Sequence, residues 1–165
     1  MRKPNANRRT ILAGLGIGLS LPFLSACGSA NAKDKSFAVS KSKAEWSRTL
    51  TKGEYYVLRQ AGTERPYSSP LNDEKRAGIF VCAGCDNRLY SSRTKYDSRS
   101  GWPSFYAAIE KGAVATSTDY KIGYPRTEVH CADCGGHLGH IFSDGPKPTG
   151  QRHCINGVAM DFIPA

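Results

Sequence analysis

Trp46, Leu50, Tyr55, Val57 and Leu58 recur among charged residues between Ala44 and Gln60. This spacing predicts a short pair of helices, broken at Lys52-Gly53. No helical period returns after it. Gly62 to Gly78, with Pro66 and Pro70 and charges at Glu64, Arg65, Asp73, Glu74, Lys75 and Arg76, reads as a solvated loop. From Ile79 onward short β-prone pieces alternate with turns: Ile79 to Cys82, Arg88 to Tyr90, Ala113 to Thr118, Thr127 to Cys131, His137 to Phe142, Arg152 to Ile155 and Met160 to Ile163. The pattern is mainly β with short N-terminal helices, and 17 Gly and 9 Pro supply its turns. At 165 residues the chain holds one domain with a real core, not two large ones.

Four cysteines stand in two tight pairs, Cys82-Ala-Gly-Cys85 and Cys131-Ala-Asp-Cys134. A C-x-x-C turn offers two thiolates to one ion, and two such turns complete the tetrahedron of a structural Zn2+ site. With four sulfurs in the shell no bound water is left to activate, so such a zinc supports the fold. The 45 residues between Cys85 and Cys131 exceed the roughly 15 to 20 of a compact zinc ribbon, so the site clips distant parts of one domain. Two alternatives stand beside it. Cys131 and Cys134 can combine with His137 and His140, although zinc fingers of that ligand type leave about 12 residues between the pairs and here only Gly135 and Gly136 intervene. Two disulfides are the other, weakened because C-x-x-C disulfides are redox-labile.

Cys154 stands apart in Arg152-His153-Cys154-Ile155-Asn156. If that run is extended, Arg152, Cys154 and Asn156 share a face while His153 and Ile155 point away. A guanidinium beside a thiol favours the attacking thiolate; the bland reading is a buried, inert cysteine. His137 and His140 follow directly on the second C-x-x-C and are suited to proton transfer near neutral pH. Three residues apart, they serve one site only if the strand bends, for which Gly139 is the obvious place. Gly101-Trp102-Pro103-Ser104-Phe105 joins a rigid turn to two large rings, which either wall a pocket or fill the core.

Formal net charge is +9. Arg2, Lys3, Arg8 and Arg9 precede a run of small and apolar residues, Ile11 to Leu24, that is too short for the ~20 residues of a spanning helix. A cationic head and a short apolar body read as an export signal over residues 1–32, and the paired arginines resemble the twin-arginine type, which carries folded proteins. Leu24-Ser25-Ala26-Cys27 resembles a lipobox that would anchor the chain to a membrane by a lipid on Cys27, and Ala30-Asn31-Ala32 offers an ordinary cleavage site. Either route places the mature protein in the periplasm or on a membrane face away from the cytoplasm. Residues 33–43 read as a flexible tether and 44–165 as the domain. Without the four leader cations 19 basic residues face 14 acidic ones. This balance argues against nucleic-acid binding.

These stretches resemble one family: the B-type methionine-sulfoxide reductases, which act on the R epimer. Gly-Trp-Pro-Ser-Phe at 101–105, the two C-x-x-C pairs, Gly-Gly-His-Leu-Gly-His-Ile-Phe at 135–142, Asp144-Gly145-Pro146 and Arg152 to Asn156 run in the family's order. The resemblance implies two antiparallel sheets and a structural zinc on Cys82, Cys85, Cys131 and Cys134, remote from the active site. It implies Cys154 as nucleophile, left as a sulfenic acid after reducing oxidised methionine, free or in proteins. His137 and His140 would assist proton delivery, Arg152, Asp144 and Asn156 would complete the polar network, and Trp102 would receive the substrate methyl group. Many members carry a resolving cysteine just before Gly-Trp-Pro-Ser-Phe. This chain has Ser100 there, so an outside thioredoxin-like thiol is the expected reductant. A monomer is expected.

Overall fold

The computed structural model describes residues 37–165; the export signal, the cysteine at position 27 and the first part of the tether lie outside the described residues. Two helices open the domain, α1 at Lys43–Thr49 and α2 at Lys52–Gln60. Both begin at reciprocal caps. Ser42 and Thr51 each accept from the backbone N–H three residues on, and Glu45 and Glu54 each return a carboxylate to the cap backbone at 2.8 Å. A cap of this kind contributes about 1 kcal/mol. Thr51 is therefore a helix start, and the break falls at Leu50-Thr51 rather than at Lys52-Gly53. Val57 and Leu58 form the buried face of α2.

Nine strands follow: β1 Gly78–Cys82, β2 Arg88–Ser91, β3 Lys95–Tyr96, β4 Ser104–Phe105, β5 Val114–Asp119, β6 Arg126–Cys131, β7 His137–Phe142, β8 Arg152–Ile155 and β9 Met160–Pro164. They form two antiparallel sheets, one of three strands in the order β2-β1-β9 and one of six in the order β3-β4-β8-β7-β6-β5. The mainly β fold of two antiparallel sheets behind two short helices is as expected. The two-residue strands β3 and β4 are additional, as is a 3-10 turn at Pro70–Asn72 within the expected loop.

The core lies where the sheets meet. Tyr90 of β2 stacks on Phe105 of β4 at 4.3 Å between ring centroids, and Phe80 of β1 meets Phe105 edge-on at 5.0 Å. Burying each such ring stabilises the fold by roughly 1.5–3 kcal/mol. His153 belongs to this layer: its Nδ1 lies 3.2 Å from the Tyr90 hydroxyl. Burial pushes its pKa down to about 4, so it is a neutral packing residue. Two residues of the segment expected as a tether, Phe37 and Val39, contact the domain. The Val39 N–H donates to the Asp133 carbonyl at 2.8 Å, and Phe37 meets His130 edge-on.

Candidate functional site

One row of cross-strand partners builds the site. Register pairs Ser117 with Glu128, Glu128 with His140, His140 with Cys154, Cys154 with Ser104 and Ser104 with Tyr96. Directly paired residues project on one face, so the row crosses all six strands with Cys154 near its middle. Two residues along, Asp119, Arg126, Phe142 and Arg152 share that face.

The two histidines converge through a bulge. The backbone pairs His130 with His137 but Val129 with Gly139, which leaves one extra residue on β7. That residue cancels the odd spacing, and the rings stand 5.4 Å apart in a T-shaped contact. Gly139 is required for a second reason: a Cβ there would strike the backbone carbonyl of Cys154. Each ring is held by a carboxylate. His137 Nδ1 lies 2.6 Å from Glu128 Oε1, and His140 Nε2 lies 2.8 Å from Asp119 Oδ2. The second oxygen of Glu128 accepts from Ser117, and Asp119 also accepts from Arg126 at 2.6 Å. The His137 bond, reinforced by Ser117, brings Glu128 down to about 2 against the cost of its burial. Asp119 is also held below the usual carboxylate range, first by the Lys121 N–H and then by His140. Burial lowers His140, with Asp119 opposing it, and favours a neutral ring. Nε2 of His137 is buried and has no hydrogen-bond partner.

Cys154, Trp102, His140 and Asn156 line one cavity of about 140 Å3 with Thr63, Arg126, Gly139 and Phe142. A groove of about 650 Å3 beside α2 shares Thr63 with it, but no cysteine or histidine lines that groove. Asn156 proves to be a brace. Its Nδ2 donates to the Leu138 carbonyl and its Oδ1 accepts from the Glu64 N–H, both at 2.9 Å. Glu64 locks the other wall: its carbonyl accepts from the Trp102 indole at 3.1 Å, and its carboxylate accepts from the N–H groups of Gly157 and Val158. Thr63, Glu64, Asp119, Arg126 and Glu128 escaped the sequence reading. Only Glu128 left a signal, because counting back from the Cys131–Gly136 turn sets it opposite β7.

Arg152 lies two residues from Cys154 on the same face and lowers its pKa, the direction expected of a guanidinium. It binds Asp144 through two bonds, of 2.9 and 2.8 Å, and its guanidinium lies 4.4 Å from the Phe142 ring centroid. Its charge is thus largely countered. Burial pushes the Cys154 thiol above its ordinary value, and Ser100 and Arg152 only partly offset this. The net direction disfavours the thiolate. Ser100 Oγ lies 3.8 Å from Cys154 Sγ, at the start of a chain of hydroxyls through Ser98 to Ser104.

The other four described cysteines form the clip. Cys82 and Cys85 sit at the β1–β2 turn of the small sheet, and Cys131 and Cys134 at the β6–β7 turn of the large one. All four ligand atoms lie within 4.8 Å of one another. Cys82 and Cys134 sulfurs are 3.8 Å apart, and those of Cys85 and Cys131 are 3.6 Å apart. A tetrahedron with Zn–S of about 2.3 Å has edges of about 3.8 Å, so the set fits a metal ion such as zinc. None of the four is in a disulfide. The cluster contains all four cysteines and neither His137 nor His140, so the geometry favours the tetrathiolate over the mixed-ligand alternative. Arg59, stacked 3.6 Å over the Trp46 ring, donates to Cys134 Sγ at 3.1 Å and to its carbonyl at 2.8 Å. This cation offsets part of the double negative charge of a tetrathiolate zinc.

With the other described thiols gathered in the clip, Cys154 is the one described cysteine that lines the cavity of this two-sheet β fold. A family model described as the SelR domain matches residues 50–164. The peptide methionine sulfoxide reductase MsrB of Leifsonia xyli subsp. xyli is 51% identical over 129 residues, covering 78% of this chain and 93% of that protein. Those of Agrobacterium fabrum and Pseudomonas putida are 49% and 52% identical over 126 residues, covering 76% of this chain and 93% and 95% of theirs. The chain belongs to the SelR-domain family of MsrB-type peptide methionine sulfoxide reductases.

Proposed function

We propose that the protein reduces the R epimer of methionine sulfoxide to methionine, with Cys154 as nucleophile and an outside thiol as final reductant. The observation that carries this reading is the convergence of Cys154, His140 and Trp102 on one small cavity. Trp102 offers an apolar wall to the methyl group, and His140 lines the same cavity. Cys154 Sγ attacks the sulfoxide sulfur to form an S–S bond, the oxygen takes a proton and passes to Sγ, and the substrate's S–O bond and the new S–S bond both break. The substrate sulfur is reduced and the cysteine sulfur is oxidised to a sulfenic acid, which carries the oxygen. Atoms balance with one proton, the one the buried thiol holds at rest. His137, with Nε2 unpartnered beside His140, is placed to relay it to the departing oxygen. Cys82, Cys85, Cys131 and Cys134 would hold one Zn2+ as a support to the fold, with no part in this step.

Ser100 occupies the position from which a resolving thiol would reach Cys154, and serine forms no disulfide. The sulfenic acid is released by an external thioredoxin-like thiol, which forms a mixed disulfide with loss of water and is displaced by a second thiol. Separated epimers test the assignment. The purified domain should turn over the R form with little action on the S form, and one round without reductant should leave a single trapped sulfenic-acid adduct on Cys154. Equal rates on both epimers, or an internal disulfide in the metal-replete protein, would count against it.

Action outside the cytoplasm is part of the same proposal, supported by Arg8-Arg9 ahead of the apolar run. Changing both arginines to lysine should retain the protein in the cytoplasm on fractionation. Unchanged export would remove the twin-arginine route.

A further inference from the structure

The hairpin joining β5 to β6 carries Tyr120, Ile122 and Tyr124 at 68%, 49% and 59% exposure. Exposed large apolar side chains are ordinary when single, but three within five residues make a patch. Tyr56, half exposed on α2, packs beside Gly62 and extends the same surface, because Lys121 Nζ of the hairpin donates to the neighbouring Ala61 carbonyl at 2.9 Å.

The patch is continuous with the cavity. Arg126, at the foot of the hairpin, lines the cavity wall. Asp119, at the opposite foot, holds three groups at once: Oδ1 accepts from the Lys121 N–H at 2.7 Å, and Oδ2 accepts from Arg126 and faces His140 Nε2. One carboxylate therefore sets both the first turn of the hairpin and the histidine beside Cys154. The tip is closed by the Gly123 N–H on the Tyr120 carbonyl at 3.0 Å. Held at both feet and at the tip, the loop displays its rings with little ordering entropy left to lose on binding.

We infer that this hairpin is the docking surface for the polypeptide around an oxidised methionine, and that it selects unfolded segments whose flanking residues are apolar. This deepens the proposed function and rests on it. The cavity of about 140 Å3 is far smaller than the ~300–1,000 Å3 of sites that enclose whole ligands. It admits one side chain, so the rest of a protein substrate lies across the mouth, where Tyr120, Ile122 and Tyr124 stand. Methionine is most often a core residue. On a strand the residues two away share its buried face, and on a helix those three or four away, so apolar side chains lie close by in sequence and become available to tyrosine and isoleucine contacts when the oxidised segment unfolds. Tyrosine suits such a surface because it offers large area at low entropy cost.

The test compares wild type with the triple variant Tyr120→Ser, Ile122→Ser, Tyr124→Ser on three substrates. These are N-acetyl-methionine R-sulfoxide, a synthetic peptide with one central methionine R-sulfoxide flanked by leucine and phenylalanine, and the same peptide flanked by glycine and serine. Wild type should show a KM for the apolar peptide roughly 10-fold below that for the polar one, a difference of about 1.4 kcal/mol. The variant should lose that difference while keeping its kcat and its turnover of the small substrate. A variant that retains the preference, or a wild type without one, overturns the inference. So does a variant that loses small-substrate turnover in proportion, because the hairpin would then act only through Asp119 and His140. A dimeric wild type that the variant makes monomeric, with KM unchanged, assigns the patch to a second copy of the chain and also overturns it. If wild type reduces none of the three, the reductase reading itself fails and the docking surface falls with it.

Discussion

Cys154→Ser should lose sulfoxide turnover by roughly 1,000-fold or more, which is about 4 kcal/mol of barrier. A hydroxyl is far too weakly acidic to furnish the nucleophile at neutral pH, and no other thiol lines the cavity. Folding should survive, because Cys154 Sγ makes only a long contact to Ser100 and serine is slightly smaller. A melting transition within a few degrees of wild type therefore accompanies the loss. The same thiol predicts a pH response in wild type. Alkylation needs the thiolate, and burial raises the Cys154 pKa, so the rate with iodoacetamide should climb about tenfold per pH unit and level off above pH ~8.5, the ordinary cysteine value. A plateau reached below that value would mean that Arg152 overrides burial. Wild-type-like turnover by the serine variant would end the assignment of Cys154.

Local signals were the legible ones. Each C-x-x-C pair lies within one turn, and the strands His137–Phe142 and Arg152–Ile155 match their expected bounds because turn residues flank them: Gly135-Gly136 and Asp144-Gly145-Pro146 around the first, Gly150 and Asn156-Gly157 around the second. Strand alternation puts Arg152, Cys154 and Asn156 on one face with His153 and Ile155 pointing away; the strand ends at Ile155, with His153 and Ile155 buried and Arg152 and Cys154 half-buried. What failed depends on contacts distant in sequence. The strand at Ser104–Phe105 is two residues long and exists because β8 pairs with it; by itself Trp-Pro-Ser-Phe reads as a turn. The bend that unites His137 and His140 was foreseen at Gly139, but its form, an extra residue opposite Val129, is a property of the β6–β7 register. The weight of burial at Cys154 is likewise invisible in Arg152-His153-Cys154: it outweighs the guanidinium, which Asp144 shares across a turn. Asp119 and Arg126 carry no motif and become meaningful only when β5 and β6 lie beside β7.

Cys131→Ser should abolish metal retention and lower the melting temperature by more than about 10 °C. The four thiolates are not a local ornament. Cys82 and Cys85 close the β1–β2 turn and Cys131 and Cys134 the β6–β7 turn, so an ion held by all four would join the small sheet to the large one. Serine in place of Cys131, which is fully buried, leaves three sulfurs around the ion and a hydroxyl in an apolar setting, which adds about 1–3 kcal/mol of unsatisfied burial to the lost coordination. Metal binding to a structural tetrathiolate is worth as much as many whole domains, whose stability is about 5–15 kcal/mol. The aromatic core around Tyr90, Phe80 and Phe105 keeps a partial fold available, so a shifted and broadened transition is expected rather than a chain unfolded at all temperatures. The loss should reach the active site. His137 begins one residue after Gly136, whose carbonyl accepts from the Cys131 N–H at 2.9 Å, and loosening that turn releases the bulge that aims both histidines. Elemental analysis and calorimetry of wild type and variant decide the matter. Metal absent from active wild type, or a variant that melts with wild type, would show that the clip holds without an ion.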